Sequence, residues 1–188
     1  PDQDYGSPGI LLETDGRQFL LAGQKSGYVR AFDLRGGSIL WRTAVVENTT
    51  EFGGKIIWGG TSDGTKAYFG LGSGGIVAVG VSDGAIAWFT PLVPEEAMAR
   101  HPGHDGPLAS SADLVFSGGW DGMLRALSAA TGTVLWEYNT AVEFTPVNEI
   151  PAQGGSMGAA GPVIAGKRLL VPSGYAGVKN GIGGNVLL

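Results

Sequence analysis

The chain has 188 residues, of which 43% are hydrophobic and 15% charged, with a net charge of −5 and no cysteine. This length and balance allow one domain with a real core and exclude a disordered segment. The sequence shows no basic cluster that would suit nucleic acid, no apolar run of the ~18 residues a membrane span needs, and no means of forming a disulfide or thiolate metal site.

Thirty-four glycines and ten prolines, without a collagen period, suit an all-β chain with many tight turns. In chain order, Pro8 to Leu12 read as a strand, followed by a turn at Thr14-Asp15-Gly16 and a second strand over Phe19 to Ala22. The loop Gly23 to Gly27 leads to strands over Tyr28 to Phe32 and Ile39 to Arg42. After a polar connector, Lys55 to Trp58 (KIIW) reads as the first strand of a second unit. That unit turns at Ser62-Asp63-Gly64, resumes at Ala67 to Leu71 and closes near Thr90. The PEEAMAR stretch that follows has the Pro start and early acids of one or two helical turns. A third unit runs to Thr140, and a Pro- and Gly-rich stretch from Ala141 to Gly158 precedes a fourth.

The units repeat. Aligning Ala31, Ala78 and Ala126 also aligns Gly27, Gly74 and Gly122, and brings Trp41, Trp88 and Trp136 together, each ten residues after its alanine. The spacings of 47 and 48 residues fall among four-stranded propeller blades. The expected fold is all-β: a β-propeller of four-stranded antiparallel blades, with three full blades and a partial fourth. Within residues 1–188 the repeats span about 5–43, 54–90, 106–140 and 158–188. The repeated tryptophans are expected to pack between neighbouring blades. Arg30 and Arg125 take equivalent positions in alternating strands, which implies one solvated and one buried face per sheet. The final residues Asn185 to Leu188 read as the start of a strand, so the chain is expected to be a piece of a longer product. Expressed alone, it is expected to self-associate through open sheet edges.

Propeller loops at one end form a funnel, and several carry unusual residues. Lys25 in GQKSG offers a cation to an anionic ligand, unless it is a solvated turn residue. Trp58 in IIWGG is not the repeat tryptophan; it is a stacking platform or an extra core ring. His101, His104 and Asp105 in HPGHDG lack evident further metal ligands, so a funnel-lining role for one of them, or loop structure, is preferred to a metal site. Asn148 in TPVNEIP and Tyr175 in PSGYAG offer hydrogen bonds from the same rim. Asp2 and Asp4 flank a blade start. There is no nucleophile elbow, phosphate-binding loop or helical His-Glu motif.

RAFDLRGGSILW and RALSAATGTVLW resemble the tryptophan-docking repeat of pyrroloquinoline quinone (PQQ) propellers. DYGSPGILL, AGQKSGYVRAFD, GGKIIWGG, FTPVNEIPAQGGSMGAAGP and VPSGYAG are similar to polyvinyl alcohol dehydrogenases and close quinoprotein alcohol dehydrogenases. The resemblance covers nearly the whole chain. It implies an eight-bladed ring, periplasmic or secreted in bacteria, that holds PQQ and calcium on its axis, oxidises an alcohol and passes electrons to a cytochrome c. It makes Lys25 the catalytic cation at the quinone carbonyl, and Trp58, His104, Asn148 and Tyr175 further cofactor-binding residues. Ile57 stands where many members carry a cofactor-binding Asn. The family's catalytic Asp and calcium ligands belong to earlier blades, and unless Asp2 or Asp4 substitutes for one of them this piece alone is expected to be inactive and to need the missing half of the ring. The alternative is a cofactor-free propeller of the outer-membrane assembly lipoprotein kind, acting as a protein-binding scaffold.

Overall fold

The computed structural model describes residues 3–14, 16–46, 55–92, 103–177 and 181–188. Three four-stranded antiparallel sheets follow one another. The first is β1 (Ile10–Thr14), β2 (Arg17–Gly23), β3 (Tyr28–Asp33) and β4 (Ile39–Ala44). The second is β5 (Gly60–Ser62), β6 (Lys66–Leu71), β7 (Gly75–Gly80) and β8 (Ile86–Pro91). The third is β9 (Ala109–Ser110), β10 (Leu114–Gly118), β11 (Met123–Ser128) and β12 (Val134–Asn139). A hairpin of β13 (Glu143–Phe144) and β14 (Ala152–Gln153) then interrupts the series. The fourth unit is two pairs: β15 (Val163–Ala165) with β16 (Arg168–Leu170), and β17 (Pro172–Ser173) with β18 (Val186–Leu187).

Each blade meanders in strand order, because each strand returns through a tight turn. The first strands of successive blades adjoin: β1 lies by β5, β5 by β9, and β9 by β15. Thr61 and Ser110 link β5 to β9 through their hydroxyls at 2.8 Å. The chain is thus a run of propeller blades whose first strands are innermost.

The core lies between sheets. Phe19, Leu21, Val29 and Ala31 of the first blade meet Ala67, Phe69, Leu71, Val77 and Val79 of the second. Tyr68, Ile76 and Ala78 on the second blade's other face meet Val115, Leu127 and Ala129 of the third. Burying each large side chain contributes about 1.5–3 kcal/mol.

The repeated tryptophan locks each of these junctions. Trp41 donates its indole N–H to Val81 O at 3.1 Å, and Thr43 donates to Gly84 O at 2.6 Å. One repeat later, Trp88 donates to Ala129 O at 3.1 Å and Thr90 to Gly132 O at 2.8 Å. Gly84 and Gly132 turn at positive φ, 72° and 76°. A Cβ on Gly84 would lie 2.4 Å from the Trp41 ring, and one on Gly132 2.6 Å from the Trp88 ring. Only glycine supplies both the turn and the flat seat for the indole.

Three expectations change. Trp136 is not core: it is 46% exposed and stacks on Tyr138 at 5.8 Å, because no turn among the described residues receives it. KIIW is not a strand; β5 starts at Gly60, and Ile56 before it is fully buried between Gly23 and Phe69. The Arg125 face is not solvated. Arg125 is buried because its face of β11 packs on the second blade, and it pairs with Asp121 at 2.8 Å and Glu137 at 2.7 Å. The β13–β14 hairpin lies within the Pro- and Gly-rich stretch from Ala141 to Gly158. PEEAMAR lies outside the described residues.

These docks predict an asymmetry among the three tryptophans. Trp88→Ala should lower unfolding free energy by about 3–5 kcal/mol, the cost of truncating a large packed aromatic. Trp136→Ala should cost under about 1 kcal/mol, since its ring lies largely in solvent. Urea unfolding followed by circular dichroism checks both.

Candidate functional site: the inner-loop face

The loop between the second and third strands of each blade recurs in one register. Lys25 N donates to Asp4 O at 3.1 Å, Gly72 N to Lys55 O at 2.9 Å, and Trp120 N to Gly103 O at 3.2 Å. In the fourth unit Gly174 N and Tyr175 N both donate to Ser156 O at 2.9 Å. Repetition of the fold therefore places Lys25, Gly72, Trp120 and the Gly174–Tyr175 pair on one face of the ring.

Lys25 sits with its side chain 18% exposed and its Nζ 2.9 Å from Asp4 Oδ1. A Cβ on Gly6 would lie 3.1 Å from Lys25 Cε and 3.0 Å from Ile57 O, so Lys25 lies where the segment before β1 meets the segment before β5. Trp58 follows at once in that second segment. Its indole Nε1 is buried without a hydrogen-bond partner, as is Ser7 Oγ. A bound group rich in hydrogen-bond acceptors fits this donor set.

His104 lies at the next junction, fully buried. Arg125 donates to His104 Nε2 at 2.8 Å, so the proton sits on Nδ1 and is donated to Ser117 Oγ at 3.1 Å. Burial, above all, pushes the imidazole down to about 4, and the neighbouring Arg125 acts in the same direction. Asp105, next in sequence, accepts the Trp120 indole N–H at 2.7 Å with both residues buried. Tyr175 packs its ring on Trp120, centroids 5.9 Å apart, and remains 39% exposed.

Two clusters result. One is Lys25 with Asp4, Ser7 and Trp58; the other is His104, Asp105, Trp120 and Tyr175. Asn148 joins neither. It sits on the loop of the β13–β14 hairpin and lines a groove of about 480 Å³ with Phe144, Val147, Ile150 and the chain's last residues. His101 and Asp2 lie outside the described residues. Among the described residues, no group of three or more His, Asp or Glu side chains could hold a metal ion.

The family model described as outer membrane protein assembly factor BamB (PQQ_2) matches residues 25–186. The chain belongs to this family of PQQ-type propeller repeats. It is 36% identical over 192 residues to a polyvinylalcohol dehydrogenase of Pseudomonas sp, covering 94% of this chain and 30% of that protein. It is 32% identical to a polyvinylalcohol dehydrogenase of Sphingopyxis sp. (strain 113P3), covering 100% of this chain and 31% of that protein. A BamB of Yersinia pestis is 29% identical over 64% of the chain and 30% of that protein. The chain thus spans about 30% of the length of these curated relatives. Among solved structures, BamB from Moraxella catarrhalis superposes with a TM-score of 0.63 at 19% identity, over 89% of this chain and 46% of that one. A quinohemoprotein alcohol dehydrogenase from Comamonas testosteroni superposes at 0.58 and 16% identity, over 76% and 22%. At such identities the superpositions speak to the fold.

Sequence reasoning passed over Ser7 and Trp120. The signal for Trp120 was present: 95 residues after Lys25, it stands two repeat spacings along in the same register. Ser7 carried none, since nothing in DYGSPG marks its hydroxyl as buried.

The His104 environment predicts a pH dependence. Its folded pKa of about 4 lies below the ordinary 6.5, so the unfolded chain takes up the proton first. His104 thus contributes stability that is complete above about pH 6.5 and is lost as pH falls towards 4. Burial works to raise the Asp63 carboxyl, but together the bonds from Lys66 N, Tyr68 and Thr65 bring it down to about 2, so it acts only below pH 4. The urea midpoint should therefore fall between pH 7 and 4, and His104→Gln should flatten that part of the curve.

Proposed function

We propose that this chain is part of a PQQ-dependent dehydrogenase that oxidises secondary or polymeric alcohols of the polyvinyl alcohol type. The observation that carries the reading is Lys25: a largely buried ammonium on the inner-loop face, where the segment before β1 meets the segment that carries Trp58 and its unpaired indole N–H. The similarity to two polyvinylalcohol dehydrogenases across almost the whole chain supports it.

PQQ, when bound, supplies a quinone that accepts a hydride from the alcohol. Lys25 would hold a quinone carbonyl oxygen by a charge-assisted hydrogen bond and favour the negative charge that develops there. Asp4 at 2.9 Å and the backbone bond from Lys25 N to Asp4 O fix the cation's position before any ligand arrives. Trp58 would add a ring face and one donor, and Tyr175 a partly exposed ring at the rim. His104 acts from behind: neutral and locked by Arg125 and Ser117, it shapes the wall that carries Asp105 and Trp120. Asn148 would touch the cofactor only if its hairpin folds over the face. Calcium, its ligands and the catalytic carboxylate would come from blades outside these residues, a cytochrome c would take the electrons, and the enzyme would be periplasmic or secreted.

A cofactor-free scaffold is the second reading, favoured by the match to Yersinia pestis BamB and by the exposed apolar hairpin tip at Val147 and Ile150. Adding PQQ and Ca²⁺ to the full-length product separates the two. Bound-quinone absorbance and alcohol-dependent dye reduction are expected, and Lys25→Ala should lower kcat by roughly 10²–10³. No quinone uptake and no turnover on any alcohol would leave the scaffold.

A further inference from the structure

Ser7 Oγ and Trp58 Nε1 are the buried side-chain polar atoms without a hydrogen-bond partner among the described residues. They are not scattered. Ser7 lies three residues after Asp4 and Trp58 three after Lys55, and Asp4 and Lys55 accept the equivalent bonds from Lys25 N and Gly72 N. The strands agree: Ile10 pairs with Leu21, and Thr61 with Tyr68, one repeat on. The two orphans therefore occupy one register in adjacent blades.

The segments that carry them also adjoin. Gly6, just before Ser7, lies against Ile57 O and Lys25 Cε, and a Cβ on Gly59, just after Trp58, would lie 3.7 Å from Pro8 Cδ. In the third blade the same register holds Gly106, whose added Cβ would lie 2.5 Å from Gly158 O. The fold therefore needs no polar side chain at this position. A buried polar group left unpaired destabilises the fold that carries it. A cost borne twice, in the two blades that flank Lys25 and dispensed with in the third, points to an acceptor that arrives from outside.

We infer that Ser7 is a ligand-holding residue, which with Trp58 and Lys25 forms a three-donor cradle for one acceptor-rich ligand. An indole N–H and an ammonium only donate, and a serine hydroxyl also has a proton to give. The ligand's facing edge must therefore present acceptor lone pairs, and carbonyl or carboxylate oxygens, which have no proton of their own to place, suit it best. The inference rests on the PQQ reading for the ligand's name, and PQQ, an o-quinone bearing carboxylates, is the probe.

The test compares Ser7→Ala and Trp58→Phe with the unsubstituted full-length protein. The readouts are PQQ affinity by titration calorimetry and the thermal midpoint without PQQ. Ser7→Ala removes an unpaired hydroxyl, so the cofactor-free midpoint should hold or rise, while PQQ affinity falls about tenfold. Trp58→Phe keeps a ring and loses the N–H, and should show the same opposition. Unchanged affinity in Ser7→Ala, with PQQ binding the unsubstituted protein, overturns the inference and leaves the PQQ reading intact. A weaker affinity matched by a lower cofactor-free midpoint also overturns it, since the hydroxyl then serves the fold. Failure of PQQ to bind the unsubstituted protein overturns both.

Discussion

The structure depends on an indole seated flat on a glycine turn of the next blade. Trp41 on Gly84 and Trp88 on Gly132 each combine a half-buried ring, one N–H to carbonyl bond and a threonine bond beside it. Neither blade alone has two covered faces. A sheet this apolar needs a neighbour on each side, and the dock sets the distance and rotation at which it arrives. Trp136, which meets no such turn among the described residues, is 46% exposed.

Covering both faces of a sheet restricts what polar groups it can carry. Arg125 is tolerated because Asp121, Glu137 and His104 surround its guanidinium. Tyr68 is tolerated because its hydroxyl donates to Asp63, across from the carbonyl of Ala129. These groups serve the junctions: removing one partner would strand a buried charge or dipole. Against that background the unpaired Ser7 hydroxyl and Trp58 indole are exceptions, and they sit beside Lys25 rather than in the sheets.

The same rotation that builds the core also repeats the loops, yet the loops have diverged. One register reads Lys25, Gly72 and Trp120; another reads Ser7, Trp58 and Gly106. The backbone bond that anchors each loop is unchanged, so side chains can vary without disturbing the blades. Chemistry on this face is therefore a property of single residues set on a periodic frame, which is why a shared fold joins dehydrogenases and assembly factors among the relatives.

The all-β blades, their repeat and the places of Trp41, Trp88 and Lys25 were legible in the sequence, because turn glycines, alternation and a 47- to 48-residue spacing are local or periodic signals. Burial across blades was not. Arg125 lies in the same alternating pattern as a solvated arginine, and only the second blade packed over its face, with Asp121 and Glu137 of its own blade in reach, makes it an interior residue. KIIW has a strand's composition, but Ile56 is drawn into the gap between Gly23 and Phe69, and pairing starts later, at Gly60. Ser7 is the clearest case: a hydroxyl's cost depends on which acceptors surround it, and the segment of Trp58, 51 residues away, comes against it only once two blades have docked.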